Sequence, residues 1–307
     1  MDLKTGPRED GAFPFRATVY CNYVDRDLQG QSPKFACTIG QDDEVKVKFG
    51  GTNGEVYGEV LATRLLWALG FGADRMYPVN VICHGCPSEL GGIERPGDES
   101  RFDPAVIERK MPGSEWAPDD KPGWSWKELE IVNSELGGAP RAHRDALKLL
   151  AVFLQHTDNK LEQQVILCLG QGRAIAPGSC ERPFLMISDV GLTFGRASRT
   201  NGNDSGVNLV AWQRTPVWKD GAGCTGNLPK SFTGTLDDPV ISEEGRHFLA
   251  NLLTQLSDRQ IRDLFEVARV ELRLRSPGDV RSGFATIDEW VDTFKQKRDQ
   301  IVSRRCA

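Results

Sequence analysis

The chain has 307 residues, of which 39% are apolar and 26% charged, with a formal net charge of −5. The apolar content suffices for a sizeable core, and the length suits one two-lobed domain or two modest ones. The acidic balance gives no nucleic-acid footprint, no apolar run approaches the ~20 residues that cross a bilayer, and the polar start "MDLKTGPREDGAF" lacks a signal peptide's apolar stretch, as a mature exported chain also would.

In chain order, the first third is predicted to be strands. "RATVYCNYV" and "KFACTI" are rich in β-formers, and "EVKVKF" alternates, with Val45, Val47 and Phe49 on one face and Lys46 and Lys48 on the other. "GGTNG" breaks the pattern, and "EVYGEVLATRLLWALG" follows as a helix stopped at Gly70. "MYPVNVIC" is another strand, residues 85–104 are expected to be a loop, and "AVIERKM" is a short strand entering "PG", a natural joint near residues 108–113. Beyond the joint the chain is mainly helical, with helices over "SWKELEIVNSEL" and "HRDALKLLAVFLQ", an irregular stretch over 195–240, and two helices that begin with capping boxes, Ser257 with Gln260 and Thr286 with Glu289. This order fits α+β: a small N-terminal sheet lobe with one helix, residues 13–111, and a larger, mainly helical C-terminal lobe, residues 112–307.

The eight cysteines are read by placement. Cys168 and Cys180 close the neck of a hairpin between "QVILC" and "CERPFLMIS", Cys21 and Cys37 flank "LQGQSPKF", and Cys83 and Cys86 are near neighbours in "VICHGCP". Zinc needs four ligands, and only His84 joins the last pair locally, so metal is the weaker reading. Eight reduced packing thiols are the rival; the placement favours disulfides and an exported protein.

"FLQHTDNKLEQQVILC" sets polar residues between an apolar helix and an apolar strand, with Asp158 at the break. In "LMISDVGLTFG", Asp189 follows the next apolar strand. If the two strands pair, the carboxylates emerge at neighbouring ends, an arrangement suited to phosphoryl transfer. One acid takes the attacking hydroxyl's proton and the other holds a divalent ion on the nucleotide phosphates. Lys160 is placed to neutralise the transferring phosphoryl, and Gln163 to supply an amide oxygen as second metal ligand. Lys48 is paired with Glu59, eleven residues on, since such a carboxylate fixes a lysine over phosphates; Lys46 and Glu55 are their rivals. "QGQSPKF" offers Gly30 and Lys34 as a phosphate-covering turn. Backbone groups of the strand carrying Glu108 and Lys110 are expected to face adenine.

Together "GQSPKF", "VKVKFGG…NGEVYGEVLATRLLWALGF", "HTDNKLEQ" and "SDVGLTFGR" resemble the atypical protein-kinase-like fold shared by HipA-type bacterial kinases and the secretory-pathway casein kinase family. The resemblance spans roughly residues 29–196. It implies a bilobal fold, Asp158 as catalytic base, Asp189 as metal ligand, and Lys48 and Glu59 as the phosphate-contacting pair, with ATP and Mg or Mn as cofactors. Gln163 departs from the Asn usual in HipA-type loops. The expected activity is ATP-dependent transfer to a hydroxyl of a protein, glycan or small molecule. The alternatives are a kinase-fold nucleotide-binding protein without catalysis and a nucleotidyltransferase. For Asp158 and Asp189 taken singly, turn capping is the competing role; His156 is read as a loop hydrogen-bonder, and Trp124 and Trp126 as packing.

Overall fold

Period-two alternation in the first strands folds the N-terminal third around its own apolar interior. In the computed structural model, which describes residues 1–90, 93–94, 99–117, 123–169, 180, 182–195, 200, 202–219 and 223–306, the strands are β1 (Thr18–Val24), β2 (Lys34–Ile39), β3 (Asp43–Phe49), β4 (Arg75–His84), the short β5 (Glu89–Leu90) and β6 (Ile93–Glu94), and β7 (Glu99–Arg109). Five of them close into a barrel in the order β1-β2-β3-β7-β4, with β1 and β4 parallel at the closure. Phe35, Val45, Val47, Phe49, Phe102 and Ile107 fill it. Phe102 packs on Phe35 and Phe49 with ring centroids 4.8 and 4.6 Å away.

Residues 85–104 were expected as a loop, yet β7 begins at Glu99. The polar run "ESRFD" pairs only with β4, so its outward side chains meet water and mask the strand.

Helix α1 (Glu55–Ala68) ends where Gly70 takes a φ of 81° and Phe71 N donates to Leu66 O at 2.9 Å. It is buried almost all round, because it lies between the barrel and the helical lobe.

The chain leaves the barrel at Arg109 and enters a separate sheet at β8 (Ser114–Glu115). That sheet has the order β10-β9-β8, with β9 at Gln164–Cys168 and β10 at Pro183–Ile187. Behind it lie α2 (Arg141–Leu154), α3 (Leu209–Arg214), α4 (Glu243–Thr254), α5 (Asp258–Val267) and α6 (Ile287–Ser303). Their core is aromatic, with Phe153, Phe194, Trp212, Phe265, Trp290 and Phe294 buried together. Both capping boxes form as the spacing requires. The lobes are also clasped away from the joint: Arg269 pairs with Asp103 at 2.5 Å, and Arg273 donates to Thr52 O at 2.6 Å.

"SWKELEIVNSEL" forms two 3-10 turns, Trp126–Glu130 and Ser134–Leu136, instead of one helix. Asn133 caps the second turn and Gly137, at φ 90°, ends it, so the segment cannot propagate. The stretch 195–240 is not wholly irregular, since α3 lies within it and Trp218 pairs with Gly226. Residues 196–199, 201 and 220–222 of that stretch, and 170–179 between the cysteines of the hairpin neck, lie outside the described residues.

All eight cysteines are paired, as Cys21–Cys37, Cys83–Cys86, Cys168–Cys180 and Cys224–Cys306. The last ties the C-terminal end back across 82 residues, a loop whose closure stabilises by about 4.5 kcal/mol in the chain-entropy account. Among the described residues no helix is long and apolar enough to cross a membrane.

Candidate active site

The register of the barrel builds the upper wall of the site. Lys34 on β2 is directly opposite Lys48 on β3, and Lys46 is opposite Glu108 on β7. Since alternate residues share a face, these four side chains leave the barrel together while Val45, Val47 and Phe49 stay inside. Lys48 is 3% exposed. Its ammonium donates to Glu59 Oε1 and, at 2.8 Å, to Glu55 Oε2. The two glutamates that the sequence leaves as rivals therefore act together, because four residues along α1 place them on one face. Burial opposes the Lys48 charge, but Glu59, Asp189 and Glu55 outweigh it and raise its pKa well above the usual value. Burial raises the Glu59 pKa, Lys48 opposes this, and Asp189 and Glu55 push it further up. Glu59 Oε2 is buried with no hydrogen-bond partner among the described residues.

Gly30 and Lys34 meet at the same edge. Gly30 has a φ of 93°, and a Cβ there would lie 2.8 Å from Lys34 Nζ. The Lys34 ammonium donates to Ser32 Oγ at 3.4 Å. Burial and then Lys48 lower its pKa, against a smaller pull from Glu55 and Asp189.

Asp189 follows β10, and its Oδ1 accepts from Gly191 N at 3.1 Å. The loop touches α1 closely: a Cβ on Gly58 would stand 2.3 Å from Gly191 O, so only glycine lets the helix carrying Glu55 and Glu59 reach it. Burial works against the Asp189 carboxylate, yet Lys48, the Gly191 N–H and Lys46 hold its pKa below the ordinary value.

Asp158 follows α2, where Gln155 turns the chain with a φ of 53°. The polar residues around it hold the loop. Asn159 Oδ1 accepts from Thr235 N at 2.7 Å and Leu236 N at 2.6 Å, and Thr157 O accepts from Ser231 Oγ at 2.6 Å. Asp158 itself accepts from Thr233 Oγ1 and, at 3.0 Å, from Gln163 Nε2. Lys160 is 3.9 Å from Asp158 Oδ2. Gln164 pairs with Ile187 in the β9–β10 register, and Gln163 O accepts from Ser188 N at 2.8 Å, so the two aspartates do emerge at neighbouring strand ends.

A cavity of about 320 Å³ opens between the lobes, lined by Lys46, Glu59, Glu108, Lys110, Gln163 and Asp189 among others. Gly30, Lys34, Lys48, Asp158 and Lys160 are outside its lining. Glu108 joins Lys46 and, at 2.8 Å, Lys110, which also reaches Asp74 at 2.9 Å. The backbone expected to face adenine is partly engaged elsewhere, since Met111 N donates to Asp74 Oδ1 at 2.8 Å and Lys110 O accepts from Arg75 at 3.1 Å. Glu108 and Lys110 both line the cavity.

His156 is no loop hydrogen-bonder: it is buried, and neither ring nitrogen has a partner among the described residues. Burial lowers its pKa to about 4, against a small upward pull from Asp189 and Asp158. Unfolded, it protonates near pH 6.5. The unfolded chain therefore binds the extra proton between pH 6.5 and 4, and stability falls as pH drops through that window, by on the order of 3 kcal/mol. Chemical denaturation of wild type and His156→Phe across this range measures it; a stability difference that stays flat with pH excludes the buried neutral ring as the cause. Trp124 and Trp126 are buried and pack edge to face, 5.2 Å between centroids, as packing residues should.

Glu55, Asp74, Asn159 and Thr233 complete the site. Helical spacing marks Glu55 in the sequence; nothing local marks Thr233, which lies 75 residues beyond Asp158.

No protein-family model matches the chain, and no curated protein does. Among solved structures it is similar to the proinflammatory kinase CtkA of Helicobacter pylori, at 10% identity over 95% of each chain and a TM-score of 0.46. It is also similar to the Rio2 kinase of Chaetomium thermophilum, solved as an ADP/Mg2+-phosphoaspartate complex, at 11% identity over 81% of this chain and 70% of that one, with a TM-score of 0.35. By its own element order, a barrel lobe with one helix joined to a mainly helical lobe, the chain has a bilobal α+β fold.

Proposed function

We propose that the chain is an ATP-dependent phosphotransferase acting on a hydroxyl of a protein, a glycan or a small molecule, with residues 13–111 and 112–307 as its lobes. The observation that carries this reading is the opposition of Lys34 and Lys48 on one sheet face, with the half-buried Asp189 as electrostatic neighbour of both. Two ammonium groups facing each other repel, and a polyphosphate between them removes the repulsion. Asp189 and the amide oxygen of Gln163 are hard oxygen donors that suit Mg or Mn. Bound there, the ion would offset charge on the nucleotide phosphates.

Each residue then has a task. Lys48, held by Glu55 and Glu59, fixes the phosphates, and Lys34 with Gly30 covers them. Asp158 takes the proton of the acceptor hydroxyl as its oxygen attacks the terminal phosphorus, and the bond to the bridging oxygen breaks to release ADP. Lys160 faces the charge on the phosphoryl in flight. Glu108 and Lys110 line the nucleotide side of the cavity.

The test combines thermal shift with ATP and Mg or Mn and incubation with ATP labelled at the α or γ position. Stabilisation by metal–ATP and transfer of the γ label is the expected result. Transfer of the α label would make the chain a nucleotidyltransferase, and stabilisation without transfer would make it a binding protein. No stabilisation by any nucleotide–metal pair overturns the nucleotide site itself.

A further inference from the structure

In the sequence, Cys83 and Cys86 stand two ligands short of a metal site; the barrel supplies two more sulfurs. Cys21 on β1 is directly opposite Cys83 on β4, and Cys37 comes across from β2. The Sγ atoms of Cys21, Cys37 and Cys83 all lie within 4.8 Å of one another, and Cys86 Sγ is bonded to Cys83. No other such cluster of His, Cys, Asp or Glu occurs among the described residues. In tetrahedral zinc tetrathiolates the Zn–S bonds are about 2.3 Å, which sets the sulfurs about 3.8 Å apart. Opening the two disulfides lets the bonded sulfurs part to that spacing. Gly85, at φ 69° and with open space at its Cβ position, makes the turn that returns Cys86 to Cys83.

The surroundings select the ion. The four cysteines are 7% exposed or less and share the barrel interior with Val19, Phe35, Val81 and Phe102. An apolar pocket with sulfur donors suits a thiophilic cation and excludes hard ions that need oxygen. His84 is exposed and stacks on Tyr20 with centroids 6.3 Å apart, away from the sulfurs.

We propose that, when reduced, Cys21, Cys37, Cys83 and Cys86 form a tetrathiolate site for a divalent cation of the zinc class. The barrel is then stapled by two disulfides in oxidising surroundings and by one metal ion in reducing ones. Two molecules of a dithiol supply four electrons and four protons, becoming cyclic disulfides as both protein S–S bonds open to four thiols. The cation displaces the four thiol protons to solvent and takes the thiolates as ligands.

The test uses the full chain, reduced anaerobically with a dithiol, freed of it by gel filtration, and titrated with Co(II) and then Zn(II). About one Co(II) per chain should bind with the visible spectrum of a tetrahedral tetrathiolate, and Zn(II) should displace it. Zinc should slow alkylation of Cys21, Cys37, Cys83 and Cys86 by about tenfold or more, because a metal-bound thiolate is a poor nucleophile, and leave Cys168, Cys180, Cys224 and Cys306 unprotected. The oxidised chain should show none of that tetrathiolate spectrum. Cys21→Ser and Cys37→Ser should each lose the tetrathiolate spectrum, and the paired Cys224→Ser, Cys306→Ser variant should keep it. If reduction alone unfolds the chain, reduction in the presence of zinc is the second measurement, and a folded, metal-loaded chain is expected. Failure of folded reduced protein to bind stoichiometric Co(II), protection falling on other cysteines, or unfolding despite zinc each overturns the proposal.

Discussion

Asp158→Asn is expected to lower phosphoryl transfer by roughly 10²- to 10⁴-fold, the usual contribution of a positioned general base. The loop should keep its shape. Asn159 Oδ1 accepts from Thr235 N and Leu236 N, and Thr157 O accepts from Ser231 Oγ, all without the Asp158 carboxylate. Asparagine still accepts from Thr233, and Gln163 can turn its amide to present oxygen to the new NH2. The cost in stability should therefore stay within about 1 kcal/mol, the scale of one exchanged hydrogen bond. Single-turnover transfer from labelled ATP, read beside a denaturation curve, separates the two effects. An active Asp158→Asn variant would sink the proposed chemistry; a variant that is inactive because unfolded would make Asp158 a structural residue.

Lys48→Ala should be the most damaging change on the sheet side. It removes the ammonium that Glu55 and Glu59 share and leaves the buried Glu59 carboxylate beside Glu55 and Asp189 without it. Breaking a buried pair in this way typically costs about 3–5 kcal/mol, and nucleotide affinity should fall with it. Glu59→Gln should act only through the lysine, and only in part, because Glu55 still holds Lys48 at 2.8 Å. Glu55→Gln combined with Glu59→Gln should approach the transfer rate of Lys48→Ala. Adding Glu59→Ala to Lys48→Ala should cost little further transfer, a coupling of roughly 0.5–3 kcal/mol in the double-mutant cycle. Fully additive losses would break the ion pair as a functional unit.

The features legible along the chain rest on short-range signals. Period-two spacing marked Lys46 and Lys48 as outward on β3, three-residue spacing marked the caps at Ser257 and Thr286, and two apolar runs marked the hairpin whose ends carry Asp158 and Asp189. The cysteines at that hairpin's neck were legible for the same reason. Other features depended on register and helix rotation, which the whole molecule sets. Lys34 faces Lys48 because β2 pairs with β3 in one register only, and a slip of one residue would turn it into the barrel. Glu55 shares Lys48 with Glu59 because Gly58 and Gly191 let α1 sit against the Asp189 loop. Thr233 and Asn159 hold the loop carrying Asp158 through partners more than 70 residues away, a separation that leaves no periodic trace. Cys21 and Cys37 come beside Cys83 only because the barrel closes β1 on β4, so this three-sulfur cluster belongs to the tertiary structure alone.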